Sequence, residues 1–583
     1  MPEDNLNPAE LASVACLNQV YLAMEARRNF LVEAGAGAGK TYTLIKALRK
    51  QIDTNGPSFL KVNKKIACIT YTNVARDEIK SRTDNHPVIF SETIHAFAWD
   101  LIKDFQKIIR SRIPELSEKW KVRVEEGGGL KNQEISYNLG YPKITEYEIF
   151  LHHDDVIRLL VFLLNDEKFK KILTNRFPVI FIDEYQDTNK ELANSLVTNF
   201  IESESGPLIG FFGDHWQKIY GTNSIGLITA RADKLTVIGK EANFRSERII
   251  VESLNRIRPE LIQHVKNPDS TGEIIVYHSN PWEGNRRSEA HWAGDLPATV
   301  AHEYLQRTIQ ELQRRGWDFD PIHTKILMLT NNILAAEQGY GNILEAIGAD
   351  DLLKKNNDYV SFLADTVEPG AAAFSEGKYG QMLSAFNLSA PLIKRHSEKE
   401  VWDRDVKRLI ELRTSGSIGD VIDLLKITKK PELPRKVIDK EKRLADLNLL
   451  PETDQDDADK IFLNKTRGIR QAPYSELIRA VQYIDDKTLF STKHGVKGAE
   501  FDNVLIVLGR GWNQYNWEQM LEWVASGIPK GKEDTFERNR NLFYVACSRP
   551  KSRLAMLFTQ KLSSSALTTL QRWFGNVLVP YSL

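Results

Sequence analysis

The sequence of 583 residues has little cysteine and no long apolar run. Its three cysteines, Cys16, Cys68 and Cys547, lie far apart and lack CxxC spacing, which excludes a disulfide framework and a zinc site of the CxxC type. No segment approaches the roughly 18 consecutive apolar residues that a membrane-spanning helix needs. The N-terminus also lacks the basic-then-apolar order of a signal peptide. These absences predict a cytoplasmic protein with no membrane partner.

The sequence also lacks an excess of either charge, because 78 lysines and arginines stand against 78 aspartates and glutamates. Overall charge therefore cannot steer the protein to nucleic acid, and any such binding must use local basic surfaces. A composition that is 42% hydrophobic and 27% charged is ordinary for a globular protein and excludes a collagen-like or mostly disordered chain. At roughly 100–200 residues per domain, the length predicts about three to five packing units.

The first strong motif is a strand, a turn of glycine and alanine, and a helix start, in the segment NFLVEAGAGAGKTYT from Asn29 to Thr43. Small residues let the backbone wrap a phosphate chain with its N–H groups turned inward, and the helix N-terminus adds partial positive charge. In such a P-loop the lysine reaches the β- and γ-phosphates and the following hydroxyl binds Mg²⁺. Ala34 stands where the motif normally has its first glycine. The predicted ATP-binding residues of this turn are Ala36, Gly37, Ala38, Gly39, Lys40 and Thr41.

The second motif is a buried strand that ends in two carboxylates, in the segment FPVIFIDEYQDTN from Phe177 to Asn189. Asp183 is placed to hold Mg²⁺ through water, as is Thr41, and Glu184 to orient and deprotonate the attacking water. A strand followed by an acidic turn is common in α/β proteins. Behind a P-loop, however, the same pair predicts hydrolysis of ATP with Mg²⁺ as cofactor.

Further apolar strands run into polar residues at their carboxyl ends. In the first half of the chain they are Ile66–Thr70 and Leu208–Phe212, and in the second half Lys325–Thr330, Lys487–Thr492, Asn503–Leu508 and Arg553–Phe558. Strands that alternate with helices form doubly wound parallel sheets, and these bind ligands at the carboxyl edge. We therefore expect an α/β protein with two such sheets and a cleft between them.

The ordered series of motifs resembles superfamily 1 helicases of the UvrD/Rep type, and it covers most of the chain. The matching segments are Gln19 upstream of the P-loop, TYTNVARDEIKSR from Thr70, ETIHAF from Glu92, DEYQD from Asp183, GDHWQKIYG from Gly213, NFRS from Asn243, STKHGVKGAEF from Ser491 and LFYVACSR from Leu542. One such motif arises by chance, whereas a series in this order does not.

The resemblance implies two RecA-like doubly wound parallel-sheet domains with a helical insertion in each. Residues 1–100 and 176–255 would form the first RecA-like domain, with the P-loop and the acidic strand end, and residues 101–175 its helical insertion. Residues 256–369 and 486–583 would form the second RecA-like domain, and residues 370–485 its insertion, which is reduced in comparison with the large helicases.

The resemblance also implies roles around ATP. Gln19 would contact the adenine, Phe244 would stack on it, and Glu500 would meet the ribose. Gln217 would sense the γ-phosphate, while Arg245 and Arg549 would close on it from across the cleft. Each assignment has a structural alternative: Gln19 as an ordinary helix residue, Phe244 as core packing, Arg245 as a surface residue and Arg549 as the partner of a carboxylate.

Five residues would line the path of single-stranded DNA, namely Thr72, Asn73, His95, Thr492 and His494. Their polar side chains suit phosphate and sugar contacts, which carry no sequence information. Both histidines have the alternative of being half-buried structural residues. Lys64, Lys65 and Lys497 lie near these motifs in sequence and would add local positive charge.

Three positions depart from the family pattern. The aromatic residue expected after GDHWQKIYG is missing, because the chain continues with Thr222-Asn223-Ser224. Base stacking contributes about 1–3 kcal/mol per base, so its loss weakens the grip on a strand unless Trp216 replaces it; the alternative is that Trp216 points into the core. Tyr42 replaces the usual arginine after the P-loop, and arginines and asparagine stand where glutamates usually precede motif VI. These changes are compatible with ATP hydrolysis but argue against processive unwinding.

Two functions follow as hypotheses. The first is an ATP-dependent DNA translocase or helicase that moves 3′ to 5′ on single-stranded or tailed duplex DNA, in repair, recombination or antiphage defence. The second is a DNA-stimulated ATPase that acts as sensor or regulatory subunit beside an OLD-type nuclease, as in bacterial antiphage systems such as Gabija. A small-molecule kinase is excluded because it leaves Arg245, Arg549 and the STKHGVKGAEF segment without a role.

Overall fold

The computed structural model describes residues 6–137, 142–203, 206–219, 223–388, 395–451, 455–493, 495–511 and 513–582, apart from the side chain of Asn332. Among the helices of these ranges, none combines the length and the apolar character that crossing a bilayer requires.

The first half of the chain alternates strands and helices around the P-loop. In order, it contains α1 (Pro8–Glu25), β1 (Phe30–Ala34), α2 (Lys40–Lys61), β2 (Ile66–Thr70), α3 (Asn73–Arg82), β3 (Ile89–Thr93), α4 (Ile94–Ile102), α5 (Gln106–Arg112), α6 (Glu118–Glu126), β4 (Glu134–Tyr137), β5 (Lys143–Ile144), β6 (Glu148–Leu151), α7 (His153–Leu163), α8 (Glu167–Arg176), β7 (Val179–Asp183), α9 (Lys190–Leu196), β8 (Leu208–Gly213), β9 (Thr236–Lys240), β10 (Ala242–Asn243), α10 (Arg248–Ile257) and β11 (His264–Val265).

Six of these strands form one sheet in the order β3-β2-β7-β8-β1-β9, and each neighbouring pair is parallel. The carboxyl ends of β1 and β7 therefore lie at the same edge, separated by β8 alone. The P-loop and the acidic pair meet at that edge. Between α4 and β7 the chain forms helices α5 to α8 together with a small sheet of β4, β6 and β5. Only helices were predicted there from the sequence, so the small sheet is an addition.

The second half of the chain builds a second sheet and a large group of helices. In order, it contains β12 (Glu273–His278), α11 (Ala298–Arg314), β13 (Thr324–Met328), α12 (Asn331–Gln338), α13 (Gly341–Ile347), α14 (Ala349–Leu353), α15 (Asp358–Phe362), α16 (Glu368–Ser375), α17 (Tyr379–Ala385), α18 (His396–Ser415), α19 (Ile418–Thr428), α20 (Arg435–Leu449), α21 (Asp457–Gln471), α22 (Tyr474–Ile484), β14 (Phe490–Thr492), β15 (Phe501–Leu508), α23 (Trp517–Ser526), α24 (Glu533–Cys547), β16 (Pro550–Phe558), α25 (Ser564–Phe574) and β17 (Leu578–Pro580).

The second sheet has the order β14-β13-β15-β16-β12-β17, and its neighbouring strands are also parallel. The predicted fold class is thereby confirmed: an α/β protein with two RecA-like doubly wound sheets and helical insertions. Helices α12 to α22 lie between β13 and β14; those from α17 on fall within the predicted insertion of residues 370–485, whereas α12 to α15 precede it. The exact domain boundaries stay a prediction.

Strand β14 is shorter than the predicted Lys487–Thr492, because the residues before Phe490 close the preceding helix. Asp486 adopts the left-handed conformation (φ 56°), and the Lys487 N–H donates to the Gln482 carbonyl. The backbone that would have continued the strand is used to end α22.

Both faces of each sheet are buried, which explains the nearly continuous apolar strands. In the first sheet, Leu31 and Ile69 belong to the core on one face, whereas Phe30, Val32 and Cys68 belong to the core on the other. Parallel sheets covered on both faces require apolar residues at successive positions rather than at alternate ones. The strands could therefore be found from the sequence, while the pairing order could not.

Gly210 in β8 tests this packing, because a Cβ there would lie 2.5 Å from the Phe30 ring and 2.9 Å from that of Phe181. We expect Gly210→Val to destabilise the fold by about 1–3 kcal/mol through overpacking, measured as a lower midpoint of thermal unfolding. The control is Gly380→Ala in α17, where a Cβ would meet nothing within 4 Å. Equal midpoints for both variants would contradict the packing of β8 described here.

Candidate active site

The P-loop spans the five residues between β1 and α2. Gly37 (φ 74°) and Gly39 (φ 73°) adopt the left-handed conformation, which side chains with a Cβ rarely tolerate. Gly39 caps α2 without a side-chain hydrogen bond, so the first N–H groups of the helix are left to an anionic ligand. Ala34 ends the strand rather than forming the turn, which is why a methyl group is accommodated at that position.

Lys40, the first residue of α2, contacts both carboxylates at the end of β7. Its Nζ lies 2.5 Å from Glu184 Oε1 and 3.7 Å from Asp183 Oδ1. Burial lowers the pKa of Lys40, but the charges of Glu184 and Asp183 outweigh it and hold that pKa above its usual value. The fold thus brings together three of the residues predicted to act on ATP.

The environments of the two carboxylates push their pKa values apart. Burial raises the pKa of Asp183 to about 6 against the opposing charge of Lys40. Burial acts in the same direction on Glu184, but the charges of Lys40 and Lys497 lower its pKa to about 2. Glu184 also has a left-handed backbone (φ 49°), a strained conformation for glutamate of the kind that clusters at active sites.

The oxygen atoms near Lys40 fit a hard divalent cation. Asp183 Oδ1 is buried and accepts no hydrogen bond within the part of the chain that the structure describes. Thr41 is half-buried in the first turn of α2. Mg²⁺ is typically bound by one or two protein oxygens together with water and phosphate, so these two residues are chemically suited to the role predicted for them.

Gln217 is tied to the acidic strand end through Asp214. Its Nε2 donates to Asp214 Oδ2 at 2.8 Å, and the Asp214 N–H donates to Gln186 Oε1 at 3.0 Å. The predicted γ-phosphate sensor and the DEYQD segment therefore share one hydrogen-bonded chain.

Asp214 is also part of a buried charge network that the sequence analysis missed. The Arg258 guanidinium is 1% exposed and donates to Asp214 Oδ1 and to Glu33 Oε1, each at 2.7 Å. His215 Nδ1 lies 2.7 Å from the same Glu33 oxygen. Glu33, Asp214 and His215 lie close enough together to hold a metal ion, but the arginine already supplies the positive charge. The one sequence signal was Glu33, a charge within the apolar strand FLVEA.

Trp216 is buried between cations and therefore does not replace the missing aromatic of the strand path. The guanidinium carbon of Arg540 lies 3.8 Å from its ring centroid and that of Arg258 5.3 Å. Its ring also packs edge-on against Tyr544 of α24, whose hydroxyl accepts a 3.4 Å hydrogen bond from the Ala36 N–H. Of the two interpretations of Trp216, the structure supports core packing.

Arg245 and Arg549 lie at the boundary between the two sheets. Arg245 donates to Glu500 Oε2 and to the Ser548 carbonyl, each at 3.0 Å. Arg549 is 1% exposed and donates to the carbonyl groups of Val545 and Ala499. Burial, and then the charge of Arg245, lower the pKa of Arg549 to about 9. Among the described ion pairs none involves Arg549, so the carboxylate alternative finds no support.

Of the two predicted adenine contacts, Phe244 lies beside the P-loop and outside a packed core. Phe244 is 37% exposed, and its ring lies 3.7 Å from the position of a Cβ built on Gly39. Tyr42, 50% exposed, flanks the same glycine. Gln19 is exposed on α1. Glu500 pairs with Arg245 and, at 3.5 Å, with Lys551, so the ribose contact predicted for it would have to compete with these ion pairs.

The predicted strand-contacting residues are only partly brought together. Thr72 and Asn73 are exposed at the start of α3, and Thr492 is half-buried at the end of β14. Burial, and then the charge of His153, lower the pKa of His95 to about 4, so this histidine is neutral at physiological pH. His494 and Thr222 lie outside the described residues. All of these contacts stay predictions.

Lys497 differs from the expectation that it lines a basic track. Its Nζ lies 2.6 Å from Asp187 Oδ2, and both side chains are largely buried. The pair joins the STKHGVKGAEF segment of the second sheet to the DEYQD segment of the first. The lysine therefore bridges the cleft instead of presenting its charge to solvent.

Comparison with known proteins identifies two matching family models. The AAA domain matches residues 19–223, and the UvrD-like helicase C-terminal domain matches residues 395–561. A Gabija protein GajB from Bacillus cereus (strain HuB5-5) is 24% identical over 96% of this chain and 97% of its own length. The ATP-dependent DNA helicase PcrA from Staphylococcus aureus (strain Mu50 / ATCC 700699) is 25% identical over 52% of this chain and 46% of its own length.

Arg258→Met tests the buried network. Because Glu33 and Asp214 would be left as buried carboxylates without their cation, we expect a loss of about 3–5 kcal/mol in the free energy of unfolding. Urea unfolding measures the loss. The matched control is Arg256→Met on the neighbouring helix, whose exposed pair with Glu252 is worth less than about 1 kcal/mol. A similar small loss in both variants would show that the network does not carry stability.

Proposed function

The chain is a helicase-like protein of the UvrD type in superfamily 1, and from this premise we propose that it hydrolyses ATP with Mg²⁺ and moves along single-stranded DNA from 3′ to 5′. The observation that carries the proposal is the contact of Lys40 with Glu184 and Asp183 at the edge of the first sheet. Arg245 of the first half of the chain and Arg549 of the second, which lie where the two halves meet, would supply the cations that phosphoryl transfer requires.

Hydrolysis would begin with an exchange of partners by Lys40. When the phosphates of ATP attract Lys40, Glu184 loses the charge that contributes most to lowering its pKa. The carboxylate then becomes a stronger base at the moment when the substrate is present, and it accepts a proton from the attacking water. Bound Mg²⁺ would neutralise charge on the phosphates, and Asp183 and Thr41 would hold it.

Closure of the cleft would complete the site. Among its described hydrogen bonds, Arg549 donates to two carbonyl groups and to the Ser548 hydroxyl, none of which carries a charge, and the nearby charge of Arg245 makes this arrangement unfavourable. A γ-phosphate would relieve the repulsion between the two guanidiniums. One such arginine contributes about 10³–10⁵ to the rate of phosphoryl transfer in related chemistry.

DNA would act on the site through the pair of Lys497 and Asp187. Lys497 belongs to the same STKHGVKGAEF segment as Thr492, so a DNA strand bound to this segment would move the charge of Lys497. Because that charge lowers the pKa of Glu184, its movement would change the basicity of Glu184. Stimulation of hydrolysis by DNA follows from this link, because the two sites share one ion pair across the cleft.

A second candidate function is that of a DNA-stimulated ATPase subunit in an antiphage complex with a nuclease partner. The nearly full-length match to a Gabija protein GajB favours it, since the match to PcrA spans less than half of that helicase. The burial of Trp216 also removes a base-stacking residue from the proposed strand path. ATP hydrolysis is common to both candidates, whereas processive unwinding belongs to the first alone.

Measurements of ATPase activity with and without single-stranded DNA separate the two candidates when strand displacement is recorded on the same samples. The motor predicts stimulated hydrolysis and displacement of a duplex with a 3′ tail, but not of one with a 5′ tail. Stimulated hydrolysis without displacement at low salt selects the ATPase subunit. If DNA leaves the ATPase rate unchanged, both forms of the proposal are wrong.

Glu184→Gln tests the assignment of the base. We expect kcat to fall by about 10²–10⁴, the usual contribution of general-base catalysis, while ATP binding persists, because the amide keeps the shape of the side chain but does not accept the proton. Lys40→Ala is the companion variant and loses ATP binding as well. A Glu184→Gln enzyme with the parental rate would show that another group activates the water.

A further inference from the structure

Lys240, the last residue of β9, lies directly behind the P-loop and belongs to none of the motifs described above. The residue is completely buried. Its Nζ donates to the Gly39 carbonyl at 2.9 Å and also to Thr43 Oγ1. A Cβ built on Gly39 would lie 3.8 Å from the same nitrogen. The ammonium group therefore contacts both ends of the first turn of α2, from its N-cap Gly39 to Thr43.

This cation has no carboxylate partner among the ion pairs of the described ranges. Burial lowers the pKa of Lys240 to about 8, so the group is still charged at neutral pH. The titratable neighbour that bears most on it is Cys16 on α1, but burial raises the pKa of this thiol to about 11, so it carries no negative charge at neutral pH. On α2, the ring of the exposed Tyr42 faces it, with the ring centroid 5.7 Å from Nζ.

Such an arrangement is unfavourable in the protein alone. An unpaired buried charge destabilises a fold, and here it lies at the N-terminus of α2, where the helix dipole is already positive. Hydrogen bonds to a carbonyl and a hydroxyl offset only part of that cost. A polyanion bound in the P-loop would provide the missing negative charge.

We propose that Lys240 is a positioning residue for the triphosphate. Lys240 braces the P-loop through Gly39 and Thr43, and its charge is balanced when ATP binds. The inference rests on the proposed function in one respect, namely that ATP is the ligand of the P-loop. It adds a second lysine to the phosphate site, one that acts from behind the turn instead of touching the phosphates as Lys40 does.

Two roles are conceivable for Lys240: a purely structural brace, or a charge that only the bound nucleotide compensates. They predict opposite effects of its replacement on the stability of the free protein. If Lys240 were only a brace, its replacement would lower both the stability of the free protein and its affinity for ATP. If the charge serves the ligand, removing it stabilises the free protein and weakens ATP binding. The sign of the stability change therefore decides between the two.

The test compares Lys240→Met with the parent protein in the full-length chain. Binding of Mg·ATPγS is measured by calorimetry without DNA, and thermal unfolding is measured without nucleotide. We expect Kd to rise about tenfold, the equivalent of 1.4 kcal/mol, and the midpoint of unfolding to rise. In ATPase assays KM increases while kcat changes by less than about twofold, and Lys240→Arg, which keeps the charge, restores most of the affinity.

Lys325→Met is the matched control, because Lys325 is equally buried in β13 of the second sheet but pairs with Asp486 at 2.7 Å. This variant should unfold at a lower temperature and bind Mg·ATPγS like the parent. If Lys240→Met does not fold, Lys240→Gln replaces it, since it keeps a donor for Gly39 but removes the charge.

Unchanged affinity, or a parallel loss of affinity and stability, in the neutral Lys240 variant would overturn the proposal. A parent protein that fails to bind Mg·ATPγS would instead overturn the assignment of ATP to the P-loop. The two failures are thus distinguishable in one set of measurements.

Discussion

The ion pair between Lys40 and the carboxylates of β7 is the interaction on which the rest of the site depends. Lys40 begins α2, which follows β1, and the carboxylates lie at the end of β7, which β8 separates from β1. The ion pair therefore forms only if β1, β8 and β7 are adjacent and parallel. The same pair sets the charge state of Glu184. Removal of Lys40 from this pair, which we propose that a bound phosphate brings about, changes both the geometry and the basicity of the site.

Two further groups of buried charges, around Arg258 and around Lys497, continue across the cleft. Arg258 connects Glu33 and Asp214 of the first sheet and lies against Tyr544 of the second half, while Lys497 reaches Asp187 from the opposite side. Buried charges are costly when unpaired, so these contacts favour one relative placement of the two sheets. The balance of 78 positive against 78 negative side chains therefore does not reveal that the cleft contains several buried charges.

The strands and the ATP motifs could be predicted from the sequence because each has a local cause. A turn of glycine and alanine before Lys40, nearly continuous apolar runs and two carboxylates directly after one of them are visible without the fold. The small sheet of β4, β5 and β6 was missed because its strands are only two to four residues long. Arg258 and Lys240 could not be predicted because both lie outside the motifs. The role of Arg258 depends on carboxylates far away in sequence, and that of Lys240 on its contact with Gly39 and on the lack of a carboxylate partner among the described residues.

The sequence by itself determined the chemistry: the residue types and spacing of the P-loop and of the DEYQD segment specify a phosphate cradle with two carboxylates. The tertiary structure alone decided which charges are compensated. It placed Trp216 between two guanidiniums, Lys497 against Asp187 and Lys240 behind the P-loop with no carboxylate partner among the described residues. The physical reason is that composition records how many charges exist, whereas their energies depend on burial and on neighbours that only folding brings within a few ångströms.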